Sequence, residues 1–101
     1  MTRIVAITPD LMDRSRISGA LDGVEFARDA SACTGADVVV IDLARHAALV
    51  GAIRLAAPGA RVVAFGPHVD TEVFEQAARD GADRVLPRSR FFQDPAAALA
   101  P

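Results

Sequence analysis

Stretches typical of buried strands alternate with helical patterns along this chain, and that alternation restricts the fold more than any other feature. The runs Arg3–Thr8, Asp37–Asp42 and Arg61–Phe65 are almost wholly apolar, as in strands covered on both faces. A short run, Arg84–Leu86, and an alternating stretch, Val24–Arg28, predict two more strands. Strands separated by helices predict a parallel sheet with helices on both of its faces.

Four helices are predicted from capping residues and apolar periodicity: Asp10–Leu21, Leu43–Ala57, Thr71–Asp80 and Asp94–Ala100. Only the eight residues 29–36 (DASACTGA) separate the second strand from the third. A parallel crossover usually needs about ten or more residues including its helix. Either the second helix is therefore a single turn or missing, or the sheet order is unusual at this point.

Length and composition predict one soluble domain that spans residues 1–101. Hydrophobic residues make up 51% of the chain, which argues against disorder. A net charge of -2 offers no basic footprint for nucleic acid or an anionic membrane. No apolar run approaches the roughly 18 residues of a membrane span, and the first residues do not form a signal peptide. We therefore expect a cytoplasmic protein that contacts neither nucleic acid nor membrane.

The residue types present do not predict an enzyme, a metal site or a cofactor. All eleven basic residues are Arg, so Schiff-base chemistry with a Lys amine is excluded. The chain has only two histidines, His46 and His68, and one cysteine, Cys33, so neither zinc spacing nor an intrachain disulfide is available. No nucleophile–base pair and no Gly-rich phosphate loop of known spacing is present.

Three segments resemble the receiver domains of the two-component response-regulator family: RIVAITPDLMDRSRISGAL, ADVVVIDL and DGADRVLPRSRF. The resemblance spans nearly the whole chain. It implies a bacterial protein with a flavodoxin-like, three-layer α/β/α fold and a five-stranded parallel sheet of order 2-1-3-4-5. It also implies a site at the carboxyl ends of the strands, where a phosphoacceptor Asp, an acidic pair that holds Mg²⁺, a hydroxyl and a Lys act together.

The phosphoacceptor position is intact in this resemblance, but the metal-binding positions are not. Asp42 matches the phosphoacceptor at the end of the third strand, whereas Thr8 and Pro9 stand where the acidic pair is expected. Asp10 lies one position further and would hold Mg²⁺ weakly with Asp42 alone. An Asp at this point can instead cap the following helix. We interpret Asp42 as that cap.

The remaining two positions are also altered. Gly66 stands where the resemblance implies a hydroxyl, and Arg88 stands where it implies the Lys. Arg pairs with phosphate but does not reproduce the geometry of Lys. The chain therefore resembles a pseudo-receiver, a receiver domain without phosphorelay chemistry of its own.

Two loops that follow adjacent strands should emerge side by side and form a small basic site. Its members are His68, Arg88, Ser89 and Arg90. One interpretation is an anion or partner-carboxylate site, because Arg holds such groups in a bidentate fork. The other interpretation is that Arg88 pairs with Asp42 or Asp10, in place of the missing metal, because a buried carboxylate needs a cationic partner.

The front helix carries a small basic segment, RSRIS, at residues 14–18. Charge pairs three or four residues apart stabilise exposed helix faces. We interpret this segment as a solvated face on which Asp10 pairs with Arg14 and Asp13 pairs with Arg16.

The end of the chain carries a predicted interaction face. Phe91 and Phe92 are adjacent, so we expect one to anchor the core and the other to be exposed. In receiver domains the fourth helix, fifth strand and fifth helix form the partner face. The corresponding residues here are Phe74, Arg79, Arg84, Arg90 and Phe92.

The sequence therefore predicts a non-catalytic pseudo-receiver that acts by binding a protein partner or a second copy in bacterial signalling or regulation. Two alternatives remain at this point. One is an atypical single-domain response regulator phosphorylated on Asp42. The other is a sensor of a small anion or nucleotide at the carboxyl edge of the sheet.

Overall fold

A five-stranded parallel sheet forms the centre of the protein, in a computed structural model that describes residues 2–67 and 70–101. The predicted site residue His68 lies outside the described residues. The strand order is β2-β1-β3-β4-β5, so the predicted fold class is confirmed. The strands are β1 (Ile4–Ile7), β2 (Glu25–Phe26), β3 (Val38–Asp42), β4 (Arg61–Gly66) and β5 (Arg84–Pro87).

Helices cover both faces of this sheet. They are α1 (Leu11–Ala20), α2 (Leu43–His46), α3 (Val50–Ala56), α4 (Thr71–Asp80), α5 (Arg88–Gln93) and α6 (Pro95–Leu99), with 3₁₀ turns at Ala30–Cys33 and Ala47–Leu49. One core layer lies between the sheet and α3 and α4, and it contains the buried Val39, Ile41 and Ile53. The other layer lies under α1, α5 and α6 and contains Ile17 and Phe91. Within the described residues, no helix is long and apolar enough to span a membrane.

The short crossover between β2 and β3 is a single 3₁₀ turn. Asp29 caps this turn by accepting a hydrogen bond of 3.2 Å from the N–H of Ala32. The turn seats Cys33 in the core, where its side chain is fully buried. The second helix is thus reduced to one turn, and the sheet keeps its ordinary order.

The predicted helix Leu43–Ala57 is not continuous. The backbone leaves the helical region at His46, with φ −132° and ψ 27°, and a 3₁₀ turn separates α2 from α3. This break lets the chain turn from the carboxyl end of β3 onto the sheet face, where Val50 and Ile53 are buried. Periodicity alone does not detect the break, because Ala-rich sequence favours helix on both sides of it.

The segment after β5 was predicted as a loop, but Arg88–Gln93 forms the helix α5. Of the two phenylalanines, Phe91 is the one that anchors the core: it is fully buried and stacked 4.7 Å from the ring of Phe65. The expectation that Phe92 is exposed is wrong, because its ring is half-buried and lies 5.2 Å from the same Phe65 ring. Successive helix residues differ by about 100° around the axis, so both rings can reach one neighbour.

Candidate functional site at the carboxyl edge of the sheet

Asp42 ends β3 and lies in the buried layer at the carboxyl edge of the sheet. Its carboxylate Oδ1 accepts a hydrogen bond of 3.0 Å from the N–H of Ala44, so Asp42 is the N-cap of α2. This confirms the cap predicted from the sequence. The residue is only 3% exposed, and its burial raises the pKa of the carboxyl group above the ordinary value.

Arg88 forms a bidentate ion pair with Asp13, so the expectation that it pairs with Asp42 or Asp10 is wrong. Its Nη1 donates to Oδ2 of Asp13 at 2.8 Å, and its Nη2 donates to Oδ1 of the same carboxylate. The side chain of Asp13 is 3% exposed and that of Arg88 is 43% exposed. The hydrogen bonds from Arg88 to Asp13 raise the pKa of the guanidinium further above its ordinary value. A carboxylate on α1 is thereby tied to the first residue of α5.

Local sequence explains why Asp13 is buried. Asp10 caps α1 by accepting the N–H of Asp13 at 3.0 Å, which fixes the first turn and lowers the pKa of Asp10. Asp13 lies one turn before Ile17, and both face the sheet. The predicted pair of Asp13 with Arg16 is therefore wrong, because Asp13 is turned away from solvent and Arg16 lies over the Phe92 ring instead.

Aromatic rings surround the guanidinium of Arg88. Its central carbon lies 4.9 Å from the ring centroid of Phe92 and 5.8 Å from that of Phe65. Such contacts add cation–π attraction and shield the ion pair from water. The position after β5 is therefore occupied by a cation that binds Asp13, contacts two aromatic rings and leaves 43% of its side chain exposed.

Thr8 and Gly66 occupy two further positions of the site that the resemblance implies. Thr8 has no carboxylate that could hold a metal, and Gly66 has no hydroxyl. The hydroxyl of Thr8 is buried and finds no hydrogen-bond partner among the residues that the structure describes. A Cβ atom at Gly66 would lie 3.2 Å from both the Leu43 Cβ and the Phe74 ring. Packing at the end of β4 therefore leaves no room for a hydroxyl-bearing side chain unless these neighbours shift.

A magnesium ion does not fit this donor set. Both oxygens of Asp13 accept from Arg88, one oxygen of Asp42 accepts from the backbone, and Thr8 and Pro9 supply no carboxylate. Over residues 2–67 and 70–101, no group of three His, Cys, Asp or Glu side chains is placed to hold a metal. The arrangement can hold α1 and α5 together, but it offers no set of ligands for a hard cation.

The other members of the predicted basic site do not converge with Arg88. Ser89 and Arg90 are exposed on α5. Arg90 faces a groove of about 650 Å³ that Arg84 and Leu86 of the edge strand β5 also line. Arg84 is partly engaged there, because its Nη1 donates to the carbonyl of Ala98 at 3.0 Å near the end of α6.

The five residues of the predicted interaction face lie on both sides of the edge strand β5. Phe74 packs against the α3 and α4 layer, while Phe92 packs against the layer of α1, α5 and α6. Arg79 is exposed on α4 and donates to Gln76 at 3.0 Å. The face therefore wraps around one edge of the sheet and has a half-buried ring on each side.

No family model matches this chain, and no curated protein matches its sequence. Solved structures do match its fold. A response regulator from Burkholderia pseudomallei, with a phosphorylated aspartic acid, a calcium ion and citrate, has a TM-score of 0.84 at 18% identity over 99% of this chain and 67% of its own. A receiver domain protein from Clostridium thermocellum has 0.77 at 22% identity over 98% and 91%. A CheY-like protein, tadZ, from Pseudomonas aeruginosa has 0.70 at 24% identity over 88% of each chain.

Proposed function

We propose that this chain, which has the fold of receiver domains, is a pseudo-receiver that acts by binding a protein in bacterial signalling or regulation. In this proposal Asp42 is not a phosphoacceptor and the chain is not an enzyme. The observation that carries the proposal is the bidentate ion pair between Arg88 and Asp13. Arg88 stands where a receiver would present a Lys to the aspartyl phosphate, and its guanidinium is already bound by a carboxylate.

The energetic cost of releasing Arg88 supports this proposal. A phosphoryl group on Asp42 would need a cation, and Arg88 would have to leave Asp13 to supply one. That movement would leave Asp13, which is nearly fully buried, without a partner. Leaving a buried carboxylate without its donors costs about 1–3 kcal/mol, and the figure stays below that of a fully buried pair because the side chain of Arg88 is 43% exposed. The Burkholderia neighbour contains a phosphorylated aspartic acid and a calcium ion, whereas the described residues of this chain bring together no group of three His, Cys, Asp or Glu side chains that could hold a metal.

A phosphorylation assay tests the proposal directly. The protein is incubated with acetyl phosphate and Mg²⁺, and its intact mass is compared with that of Asp42→Asn treated in the same way. We expect no phosphoryl adduct on either protein. An amide NMR titration with Mg²⁺ and beryllofluoride gives an independent readout at Ala44, Gly66 and Arg88. Saturable shifts that disappear in Asp42→Asn would show an atypical phosphorylated receiver instead.

The surface around β5 is the proposed binding face. On one side, α4 exposes the acidic side chains of Glu72 and Glu75, and on the other side α5 exposes Arg90. Opposite charges on the two sides of one edge allow two copies to pair across a two-fold axis. The edge strand itself carries Arg84 and ends at Pro87, which limits uncontrolled strand pairing.

Light scattering during size-exclusion chromatography tests self-association through this face. We expect a mass that rises with concentration and an association weakened by Arg90→Glu. Arg28→Glu is the matched control, since Arg28 is also exposed but follows β2, at the opposite edge of the sheet from β5. A strictly monomeric protein at its highest soluble concentration would contradict self-association and leave a different protein as the partner.

A further inference from the structure

A groove of about 320 Å³ opens at the carboxyl edge of the sheet, on the side away from β5. Six residues line it: Pro9, Leu11, Arg14, Ala27, Arg28 and His46. The groove is separate from Arg88 and from the proposed interaction face. From its position, charge and apolar wall we propose that this groove binds a small organic anion, with a phosphate or carboxylate group on an apolar body.

The position of the groove matches where ligands bind in open parallel sheets. Its walls come from the segments that follow β1, β2 and β3, which are the first three strands of the sheet order. Chain connections leave β1 and β3 toward opposite faces, because α1 covers one face and α3 covers the other. A crevice forms outside the carboxyl ends of strands at such a switch point.

Three nitrogen-bearing side chains meet in the groove without a carboxylate among its lining residues. Arg14 is held in place, because its Nε donates to the Thr8 carbonyl at 2.7 Å and its guanidinium lies 5.3 Å from the Phe26 ring. Its terminal nitrogens, and the side chains of Arg28 and His46, have no hydrogen-bond acceptor within the part of the chain that the structure describes. A pre-positioned Arg loses little freedom when it binds an anion.

Three acidic residues adjoin the lining residues in sequence, and none of them forms an ion pair with the arginines of the groove. Asp13 pairs with Arg88 instead. Asp10 accepts from the N–H of Asp13 at the start of α1. Asp29 accepts from the Ser31 hydroxyl at 2.7 Å and from the N–H of Ala32. Within the described residues, no carboxylate forms a salt bridge with Arg14 or Arg28, so both guanidinium groups are available to a ligand.

The apolar wall indicates that the anion carries an apolar group. Pro9, Leu11 and Ala27 form this wall, and Leu11 is 76% exposed. An exposed Leu beside two arginines gains free energy if a ligand covers it. The volume lies at the lower end of the range for small-molecule pockets, which fits a compact ligand and not a dinucleotide.

An amide NMR titration tests this site with three probes: phenyl phosphate, benzoate and inorganic phosphate. We expect saturable shifts at Leu11, Ala27, Arg28 and His46 with at least one of the two organic anions. The anion with the higher affinity shows whether the groove prefers phosphate or carboxylate. Inorganic phosphate should bind at least about fivefold more weakly, because it cannot cover Leu11. Arg28→Gln should weaken binding about tenfold.

The control variant is Arg16→Gln, which removes an exposed Arg from the other side of α1 and should change the affinity by less than about twofold. Arg28 is exposed and makes no hydrogen bond within the described residues, so its variant should keep the wild-type spectrum outside the groove. The proposal is overturned if neither organic anion saturates, if inorganic phosphate binds equally well, or if Arg16→Gln weakens binding as much as Arg28→Gln does.

Discussion

At the scale of single residues, the ion pair between Asp13 and Arg88 determines what the carboxyl edge can do. We expect Arg88→Ala to lower the free energy of unfolding by about 1–3 kcal/mol, because it leaves a buried carboxylate without its donors. The figure stays below that of a fully buried pair, since the side chain of Arg88 is 43% exposed. Urea denaturation at pH 7 measures the change.

A second substitution separates the ion pair from simple loss of packing. Adding Asp13→Asn to Arg88→Ala removes the unpaired charge, so the double variant should recover most of the lost stability. Arg88→Lys should recover only part of it, because an ammonium group cannot form the bidentate fork. If Arg88→Ala unfolds at the same urea concentration as the wild type, the ion pair does not stabilise the fold.

Asp42 should lower stability at neutral pH, because burial raises the pKa of its carboxyl group in the folded state. The folded protein then binds a proton more tightly than the unfolded chain, so stability falls as pH rises from the unfolded pKa through the folded one. Asp42→Asn keeps a capping oxygen and carries no charge. We expect it to stabilise the protein at pH 7, where the carboxylate of Asp42 is charged in the unfolded chain.

The pH dependence of that variant is the critical measurement. The advantage of Asp42→Asn over the wild type should shrink as pH falls below the folded pKa, because both residues are then neutral. Urea titrations from pH 3 to pH 7 begin below the ordinary pKa of an Asp side chain and follow the change in stability as the pH rises above it. An advantage that is constant across this range would show that the effect is not electrostatic.

The sequence predicts local contacts at this scale better than distant ones. The cap of Asp42 on Ala44 joins residues two apart, so it could be read from the pattern of strand followed by helix. Asp13 and Arg88 are 75 residues apart, and no local pattern connects them. One feature of the sequence did indicate that Asp13 is buried: it lies four residues before Ile17, on the buried face of the same helix.

At the scale of elements, the C-terminal end of α4 requires a backbone conformation that favours glycine at Gly81. Gly81 has φ +120°, and a Cβ atom there would lie 2.8 Å from the Cγ of Arg54. The carbonyl of Gly81 also accepts from Nε and Nη2 of Arg54, at 3.1 and 2.8 Å. We expect Gly81→Ala to cost more than about 1 kcal/mol, as measured by thermal or urea unfolding.

Gly51 in α3 provides the matched control. A Cβ atom at Gly51 meets nothing within 4 Å, and the residue lies in a helix with ordinary backbone angles. Gly51→Ala should therefore stabilise the protein by up to about 1 kcal/mol. If both substitutions change stability in the same direction, the positive φ and the contact with Arg54 do not explain the role of Gly81.

Strands were easier to predict than helix ends in this chain. Long apolar runs such as Val38–Ile41 permit few alternatives, because both of their faces must be covered. The helix Arg88–Gln93 was missed because it is six residues long and follows a proline. This helix is stabilised by the burial of Phe91. That tertiary contact cannot be inferred from the helix propensity of the local sequence.

At the scale of the whole molecule, Phe91 joins α5 to the sheet by stacking on Phe65. Phe91→Ala should lower the free energy of unfolding by about 3–5 kcal/mol. A domain of this size is usually stable by only about 5–15 kcal/mol, so the variant should melt far below the wild type. Leu55→Ala is the control: Leu55 is 85% exposed, and its loss should change stability by less than about 0.5 kcal/mol. Equal melting temperatures for the two variants would contradict this account.

The parallel sheet with helices on both faces was predictable, because alternating strands and helices leave few topologies that satisfy right-handed crossovers. The strand order came from the resemblance to receiver domains. The sequence did not predict which charged side chains pair at the carboxyl edge of the sheet. That pairing depends on side chains that the fold brings together from α1 and α5. Fold and chemistry are thus separable in this protein. The backbone pattern specifies the first, and side-chain contacts between distant residues, such as Asp13 and Arg88, contribute to the second.

The one-turn crossover between β2 and β3 gives the molecule a built-in reporter. Cys33 is the single thiol of the chain, is fully buried in that turn, and has a pKa that burial raises. A thiol-labelling reagent can reach it only when the turn opens, and labelling needs the thiolate. The labelling rate under native conditions thus measures the free energy of opening the shortest crossover between strands, without any substitution in the chain.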